Sequence, residues 1–391
     1  MILAGLLPNS QGFALDIPER EPLAACRTPS AFAASPKTRT KILVRRPITT
    51  ARGCGGRQQR TIVKLRPGSC PQCRRQGSLG LSRPLCYRPT AMDATWPNTT
   101  AEAARFADRL EAWGAALLFG AFKFLPLDSA SALGGALARY IGPRLGISKL
   151  ARRNISSAFP ELSETEIARV IVSMWNNLGR VAAEYPHLRK IRVFEPGGRV
   201  ETHGFEHVHR AVAAKRRMIF LSGHIANWEI AALAAVQYGI SVAQIYRAAN
   251  NPLVDRMIAR FRGDRGEFIP KGPVAARRAI AALRCGTHLT MLADQKMNDG
   301  ISVPFFGRPA MTAPALAVLA LRFDCDVLPV RVERLDGAHF RLTVFPPLPL
   351  SRSGEPHAEA AALMARVNAT LEVWIRDRPE QWLSLHRRWP D

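Results

Sequence analysis

From about residue 200 onward the apolar residues fall into short runs that alternate with longer helical patterns, and this alternation restricts the fold more than any other feature. The runs RMIFLS (217–222), SVAQIY (241–246), HLTML (288–292), DVLPVR (326–331) and FRLTVF (340–345) have the length and composition of strands. The intervening NWEIAALAAVQYG, NPLVDRMIARFRG, GPVAARRAIAALRCG and TAPALAVLALRFD read as helices. Such alternation predicts an α/β fold with a mostly parallel central sheet flanked by helices. The chain has 391 residues, 47% of them hydrophobic, enough to bury one large core or two modest ones. It has no internal repeat, and it lacks the G-x-S-x-G elbow, the Walker loop and G-x-G-x-x-G. The commonest serine hydrolase and nucleotide-binding readings are thereby removed.

The net charge of +24 is unevenly spread. Residues 1–91 hold 16 Lys/Arg against 3 Asp/Glu, whereas 92–391 hold 39 against 28. The first part is rich in Arg, Pro, Gly and Ser without an apolar period, which predicts a disordered basic extension, translated from too early a start with Met92 as the alternative opening. Its charge also admits a nucleic-acid arm, the non-enzyme alternative for the chain. A zinc site built on Cys70 and Cys73 with Cys54 and Cys86 lacks a second C-x-x-C. Cys285 and Cys325 sit in apolar surroundings and read as small buried hydrophobes.

Residues 92–145 form a separate segment. Trp113 to Leu127 is almost wholly apolar, interrupted by Lys123, but shorter than the ~20 residues needed to cross a bilayer. With its basic and Trp flanks it predicts an N-terminal membrane-anchoring helix that is short or lies in the interface, a buried core helix being the alternative. Residues 146–391 are the expected catalytic domain; it opens with two more helices, the second starting at the capping box Ser163–Glu166.

The chemistry concentrates in LSGHIANWE (221–229). A buried strand ends at Ser222–Gly223, and a helix begins near Asn227. His224 therefore sits on a strand-to-helix turn at the carboxyl edge of the sheet, where α/β folds place ligands. Glu229, about one helical turn on, is expected to accept the Nδ1 proton of His224 and leave Nε2 free to take a proton from an alcohol. A bare H-x4-E read without its context is a turn histidine beside an exposed glutamate. A second pattern, HGFEH (203–207), matches an H-x-x-E-H zinc motif, but Gly204 weakens the single helix that motif requires, and no metal is expected.

LSGHIANWE resembles the H-x4-D/E signature of glycerolipid acyltransferases and, in its GH-x-x-NWE form, the bacterial lipid A late acyltransferases. The likeness runs from about residue 105 to the end. IYRAANNPLVDRMIARFRG, MLADQKMNDGISVPFFGRPAMT and QWLSLHRRWP are similar, in order, to three further blocks of that family. The resemblance implies a glycerolipid acyltransferase-like fold and no cofactor. It implies transfer of a fatty acyl chain from an acyl carrier protein thioester to a hydroxyl of a phosphorylated lipid A precursor, at the cytoplasmic face of the inner membrane and without nucleic acid as partner. His224 would be the general base and Glu229 its orienting partner. Asn227, Arg247, Lys271, Asp294, Gln295, Lys296 and Arg308 would bind substrate, with arginine suited to phosphate. An Arg247–Asp294 ion pair is the structural alternative, and Phe305 and Phe306 fit either an acyl tunnel or the core. Another glycolipid or a lysophospholipid is the alternative acceptor, although ADQK stands where an E-G-T-R block is expected of glycerophosphate enzymes.

Overall fold

The computed structural model describes residues 105–389 apart from 264, 265 and 273. The basic extension, its cysteines and the Met92 start lie outside the described residues.

The central sheet contains β1 (Val200–His203), β2 (Met218–Ser222), β3 (Val242–Tyr246), β4 (Glu267–Pro270), β5 (His288–Leu292), β8 (Asp326–Arg334) and β9 (Phe340–Val344). Their order is β1-β9-β8-β2-β5-β3-β4. All five residues of β2 are buried, as a strand covered on both faces requires. Every neighbouring pair runs parallel except β8–β9. The five strands read from sequence are present; β1 and β4, four residues each, are too short to announce themselves.

Helices α5 (Phe205–Ala213), α6 (Glu229–Gln237), α7 (Pro252–Arg262), α8 (Ala275–Arg284) and α9 (Ala315–Phe323) connect the strands. The zinc-like HGFEH pattern is split between two elements. His203 ends β1, Gly204 turns the chain at φ 74°, and His207 lies in α5. Between β5 and α9 the chain makes a hairpin, β6 (Lys296–Phe305) and β7 (Arg308–Thr312). Its two-residue loop puts Phe306 at φ 53° and Gly307 at φ 69°, the sign pair a tight hairpin turn demands. Phe306 tolerates this because its N–H donates to Glu372 at 2.7 Å. Glu372 belongs to α10 (Pro356–Asp377), which packs on the hairpin. Phe305 is fully buried and Phe306 nearly so, with Phe305 stacked on Trp389; both are core.

Among the described residues, four α-helices precede the sheet: α1 (Phe106–Phe124), α2 (Leu127–Ile141), α3 (Ser148–Ala158) and α4 (Glu164–Glu184). The capping box is formed, with Ser163 N–H donating to Glu166 at 2.8 Å and Glu166 N–H to Ser163 Oγ at 3.3 Å. α2 meets α4 backbone to backbone at Gly134 and Gly179: a Cβ on Gly134 would stand 2.5 Å from the Gly179 carbonyl oxygen. That approach brings Ser131 to Glu184, where its hydroxyl donates at 2.7 Å.

The apolar stretch expected to anchor the chain is divided at Pro126 between α1 and α2. No helix among the described residues is long and apolar enough to cross a membrane, so a spanning anchor is not what the stretch builds. Ala112, Ala115 and Phe119 of α1 join the main core. Its opposite face carries Phe106, Leu110, Trp113, Leu117 and Phe124, all exposed, at three- and four-residue spacings that keep most of them in one stripe.

Candidate active site

Strand register assembles the site. β2 and β5 pair with Ser222 opposite Leu292, and Ala293 N–H closes the ladder on the Ser222 carbonyl at 3.0 Å. Two residues beyond this pair, on adjacent strand ends, stand His224 and Asp294. His224 Nδ1 lies 2.7 Å from Asp294 Oδ1. The other carboxylate oxygen accepts from Trp382 Nε1 at 3.1 Å. Asp294 is 2% exposed. Burial opposes its ionisation, but the His224 imidazole outweighs burial and holds the carboxyl well below the usual range. An ionised carboxylate only accepts, so Nδ1 carries the proton, and in the neutral ring the lone pair is then on Nε2. The amide nitrogen of Gln295, 3.2 Å from Nε2, fits that tautomer as donor.

The partner expected at Nδ1 was Glu229; Asp294 holds that position. Glu229 begins α6, is 3% exposed, and is clamped from another side. Arg262 donates from Nη2 at 2.6 Å and from Nε at 3.1 Å to each oxygen, and the Tyr185 hydroxyl adds a bond at 3.0 Å. The guanidinium lies over the rings of Tyr246 and Phe268, 5.3 and 5.2 Å from their centroids. Burial disfavours the Arg262 charge, but Glu229 more than compensates and raises its pKa. Burial first, and then Glu229, also raises the Tyr185 phenol, which stays protonated and able to donate.

Asn227, expected at the substrate, is fully buried and holds the turn instead. Its side chain accepts the Glu229 N–H at 3.2 Å and donates to Glu184 at 2.8 Å. Glu184 also receives Arg334, which donates in turn to Asn177 at 2.9 Å. This buried network joins α4 and the end of β8 to the turn that carries His224. Ala226 takes φ 51° there, a conformation costly for a residue with a Cβ, and its N–H is caught by the Gln381 carbonyl at 2.9 Å.

The C-terminal block is stitched to the same turn. Leu383 N–H donates to the His224 carbonyl at 2.9 Å, and Trp382 bridges Ile225. Beyond it, Arg388 is 1% exposed and reaches the Met311 carbonyl, Thr312 and Asn368, while Trp389 donates to the Phe305 carbonyl. The sequence signal for this role was present in the density of Trp, His and Arg in QWLSLHRRWP, but neither Trp382 nor His386 was singled out.

The cavity at the strand ends is lined by His224, Trp228, Glu229, Arg247, Lys271, Gln295 and His386 on its polar side. Leu178, Val181, Ala182, Ala232 and Ile258 form an apolar side between α4, α6 and α7. Arg247 follows β3 and makes no ion pair with Asp294, whose oxygens are taken by His224 and Trp382. Burial alone lowers its pKa. Lys296 begins β6 outside the cavity lining. Arg308 lies apart, in an adjoining groove with Arg153, Arg387 and Trp389. His386 lines the cavity, and the next residue, Arg387, lines the groove.

The family model for bacterial lipid A biosynthesis acyltransferases matches residues 101–391. The chain belongs to that family. It is 28% identical to the lipid A biosynthesis lauroyltransferase of Escherichia coli K12 over 253 residues, 62% of this chain and 78% of that one. The myristoyltransferase of the same organism is also 28% identical, over 63% of this chain and 76% of its own. The lipid A biosynthesis acyltransferase of Haemophilus influenzae is 24% identical, over 66% and 81%. The protein is therefore an acyltransferase, and beside the apolar recess of its cavity stands an imidazole oriented by Asp294 at Nδ1 and met by the Gln295 amide at Nε2.

Proposed function

We propose that the acyltransferase moves a fatty acyl chain from an acyl carrier protein thioester to a free hydroxyl on a phosphorylated lipid A precursor. The observation that carries the reading is the His224 imidazole on the cavity wall, fixed by Asp294 at Nδ1 and met at Nε2 by the Gln295 amide, which an acceptor hydroxyl would displace. Nε2 takes the acceptor hydroxyl proton, the oxygen attacks the thioester carbonyl, and the thiol leaves with that proton. Neither serine nor cysteine lines the cavity among the described residues, and burial pushes the Cys325 thiol up to about 12, far from a thiolate. Both points favour direct attack over an acyl-enzyme. The apolar wall of Leu178, Val181, Ala182, Ala232 and Ile258 would take the acyl chain. Arg247 and Lys271 line the cavity; burial lowers the pKa of both, and an anionic group on either substrate would favour their charged forms. The Arg153–Arg308–Arg387 groove would receive a phosphate of the acceptor.

The direct test is transfer from an acyl-acyl carrier protein to the bisphosphorylated disaccharide acceptor, followed by mass spectrometry of both lipid and enzyme. His224→Ala should lose turnover by at least ~10²–10⁴-fold while the protein stays folded. Normal turnover by that variant, or an acylated enzyme accumulating in a quenched wild-type reaction, would overturn the mechanism. A lysophospholipid acylated faster than the disaccharide would move the substrate assignment elsewhere.

The same reading places the protein on the cytoplasmic face of the inner membrane, lying on the bilayer through α1. The exposed stripe Phe106, Leu110, Trp113, Leu117 and Phe124 would sink into the interface. Arg105, Arg109 and Lys123 would meet anionic headgroups at roughly 1 kcal/mol each. Trp113→Glu combined with Leu117→Glu should weaken cosedimentation with anionic vesicles at least tenfold. Unchanged cosedimentation would remove α1 from the membrane contact.

A further inference from the structure

The cavity holds a second imidazole to which acyl transfer by His224 alone assigns no task. The ring of His386 faces that of His224, with centroids 5.7 Å apart and planes inclined at 58°. Its Nδ1 and Nε2 are both buried, and neither has a hydrogen-bond partner among the described residues. The ring lines the same cavity as His224, Gln295, Arg247 and Lys271. Its main chain is held hard: Asn154 Nδ2, itself buried in α3, donates to the carbonyls of Ser384 and His386 at 2.7 and 2.5 Å. Three residues earlier, Leu383 N–H is tied to the His224 carbonyl. The second imidazole thus rides on a segment fixed to the catalytic turn, the rigidity a preorganised donor needs.

Buried nitrogens without partners are rare in folded proteins, and where they persist at a site their partner is often what the site binds. The charges acting on His386 are those of His224, Asp294, Lys271 and Arg247. Burial above all, and then His224, drive its pKa down to about 3, against the pull of Asp294. Such an imidazole stays neutral under physiological conditions. It is a poor base but keeps one N–H to give, as an electrophilic neutral histidine does. The other candidate donors fit less well. The Gln295 amide is placed on Nε2 of His224. Thr290 Oγ1 also lacks a partner but lies within β5, two residues before the strand ends.

We propose that His386 is a catalytic residue that donates its N–H to the thioester carbonyl oxygen and stabilises the oxyanion as it forms. The inference rests on the acyl-transfer reading above. As the acceptor oxygen bonds to the carbonyl carbon, its proton passes to His224 Nε2 and the C=O π pair moves onto oxygen, where His386 holds it. The pair then returns, the C–S bond breaks, and sulfur leaves with its bonding pair and takes the proton back from His224. Ester and thiol result, and no proton is lost or gained at His386.

The test is steady-state kinetics with an acyl-acyl carrier protein and a phosphorylated 3-hydroxyacyl glucosamine disaccharide. His386→Leu removes the donor at similar volume, whereas His386→Gln keeps one. The leucine variant should lose about 10²–10³-fold in kcat, with KM for both substrates changed less than about threefold. Glutamine should recover at least about tenfold of that loss at an unchanged melting temperature. A leucine variant within threefold of wild-type kcat would overturn the proposal. So would a loss expressed mainly in KM or melting temperature, or one that glutamine does not relieve; each marks a structural ring. His224→Ala separates the two layers. If it is inactive while His386→Leu is normal, only the oxyanion assignment fails; if it is active, the acyl-transfer reading fails with it.

Discussion

Glu229 and Asp294 are both buried carboxylates beside the proposed catalytic histidine, and they hold different things. Glu229 stands five residues after His224 in the motif and binds a cation, Arg262, carried in from α7. Asp294 stands at the end of a neighbouring strand and binds the imidazole itself. The contrast teaches that nearness in the chain and nearness in the site are separate quantities. A helix start carries Glu229 toward the α4 and α7 side of the cavity, while parallel register between β2 and β5 carries Asp294 to Nδ1.

The sharpest way to break the comparison is to neutralise each carboxylate in turn. Asp294→Asn should cost about 10³–10⁴-fold in kcat, because an amide no longer enforces the Nδ1–H tautomer that frees Nε2. Steady-state turnover at constant substrate checks this, and a loss below tenfold would remove Asp294 from the mechanism. Glu229→Gln should act first on stability. It strands a buried guanidinium, and breaking such a pair costs roughly 3–5 kcal/mol. Denaturant unfolding should show that loss, and Arg262→Met in the same background should restore most of it. If the double variant is no more stable than the single, Glu229 is not chiefly the counterion of Arg262.

Smaller effects sharpen the same contrast. Trp382→Phe removes one of the two bonds on Asp294 and should lower kcat about tenfold or less, since a single hydrogen bond is worth about 1 kcal/mol net. The acid limb of stability should also name its carboxylate. The pKa of Asp294 is lowered in the folded protein, so its ionised form stabilises the fold above an unfolded value of about 3.9, and that contribution is lost as pH falls below it. Asp294→Asn should therefore flatten the fall in melting temperature below about pH 4. Asp255 behaves oppositely. Burial raises its pKa against the Ala249 N–H and Tyr246, so its charge destabilises the fold at neutral pH and the penalty fades as acid protonates it. Asp255→Asn should leave stability equal or slightly higher at pH 7, with the gain vanishing near about pH 4. A gain that grew in acid would contradict the sign.

Much of the fold was legible because β2 is buried on both faces and reads as an uninterrupted apolar run, and because the helices between strands carry their own period. His224 was legible for the same reason: a strand that ends at Ser222 must turn there. Its true partner was not. No local pattern states that Ser222 pairs with Leu292, and without that register Asp294 is one polar residue in ADQK among three. Asn227 misled because its side chain type serves a substrate and a turn equally; only burial beside Glu184 decides. The apolar stretch read as one unbroken segment because hydropathy averages over faces, whereas Pro126 divides it between α1 and α2 and the core takes Ala112, Ala115 and Phe119 from one face of α1. The C-terminal block was visible as a motif, yet its role depends on pairing with residues 224–226, more than 150 positions away.

The central claim is that Asp294, not Glu229, sets the tautomer of His224. Nitrogen NMR of the His224 ring in histidine-labelled protein measures this directly. Wild type should show Nδ1 protonated with a strongly deshielded proton and Nε2 as a bare pyridine-type nitrogen. Glu229→Gln, read at a temperature where it is folded, should keep that pattern, and Asp294→Asn should lose it. A pattern that survives in Asp294→Asn and disappears in Glu229→Gln would contradict the account.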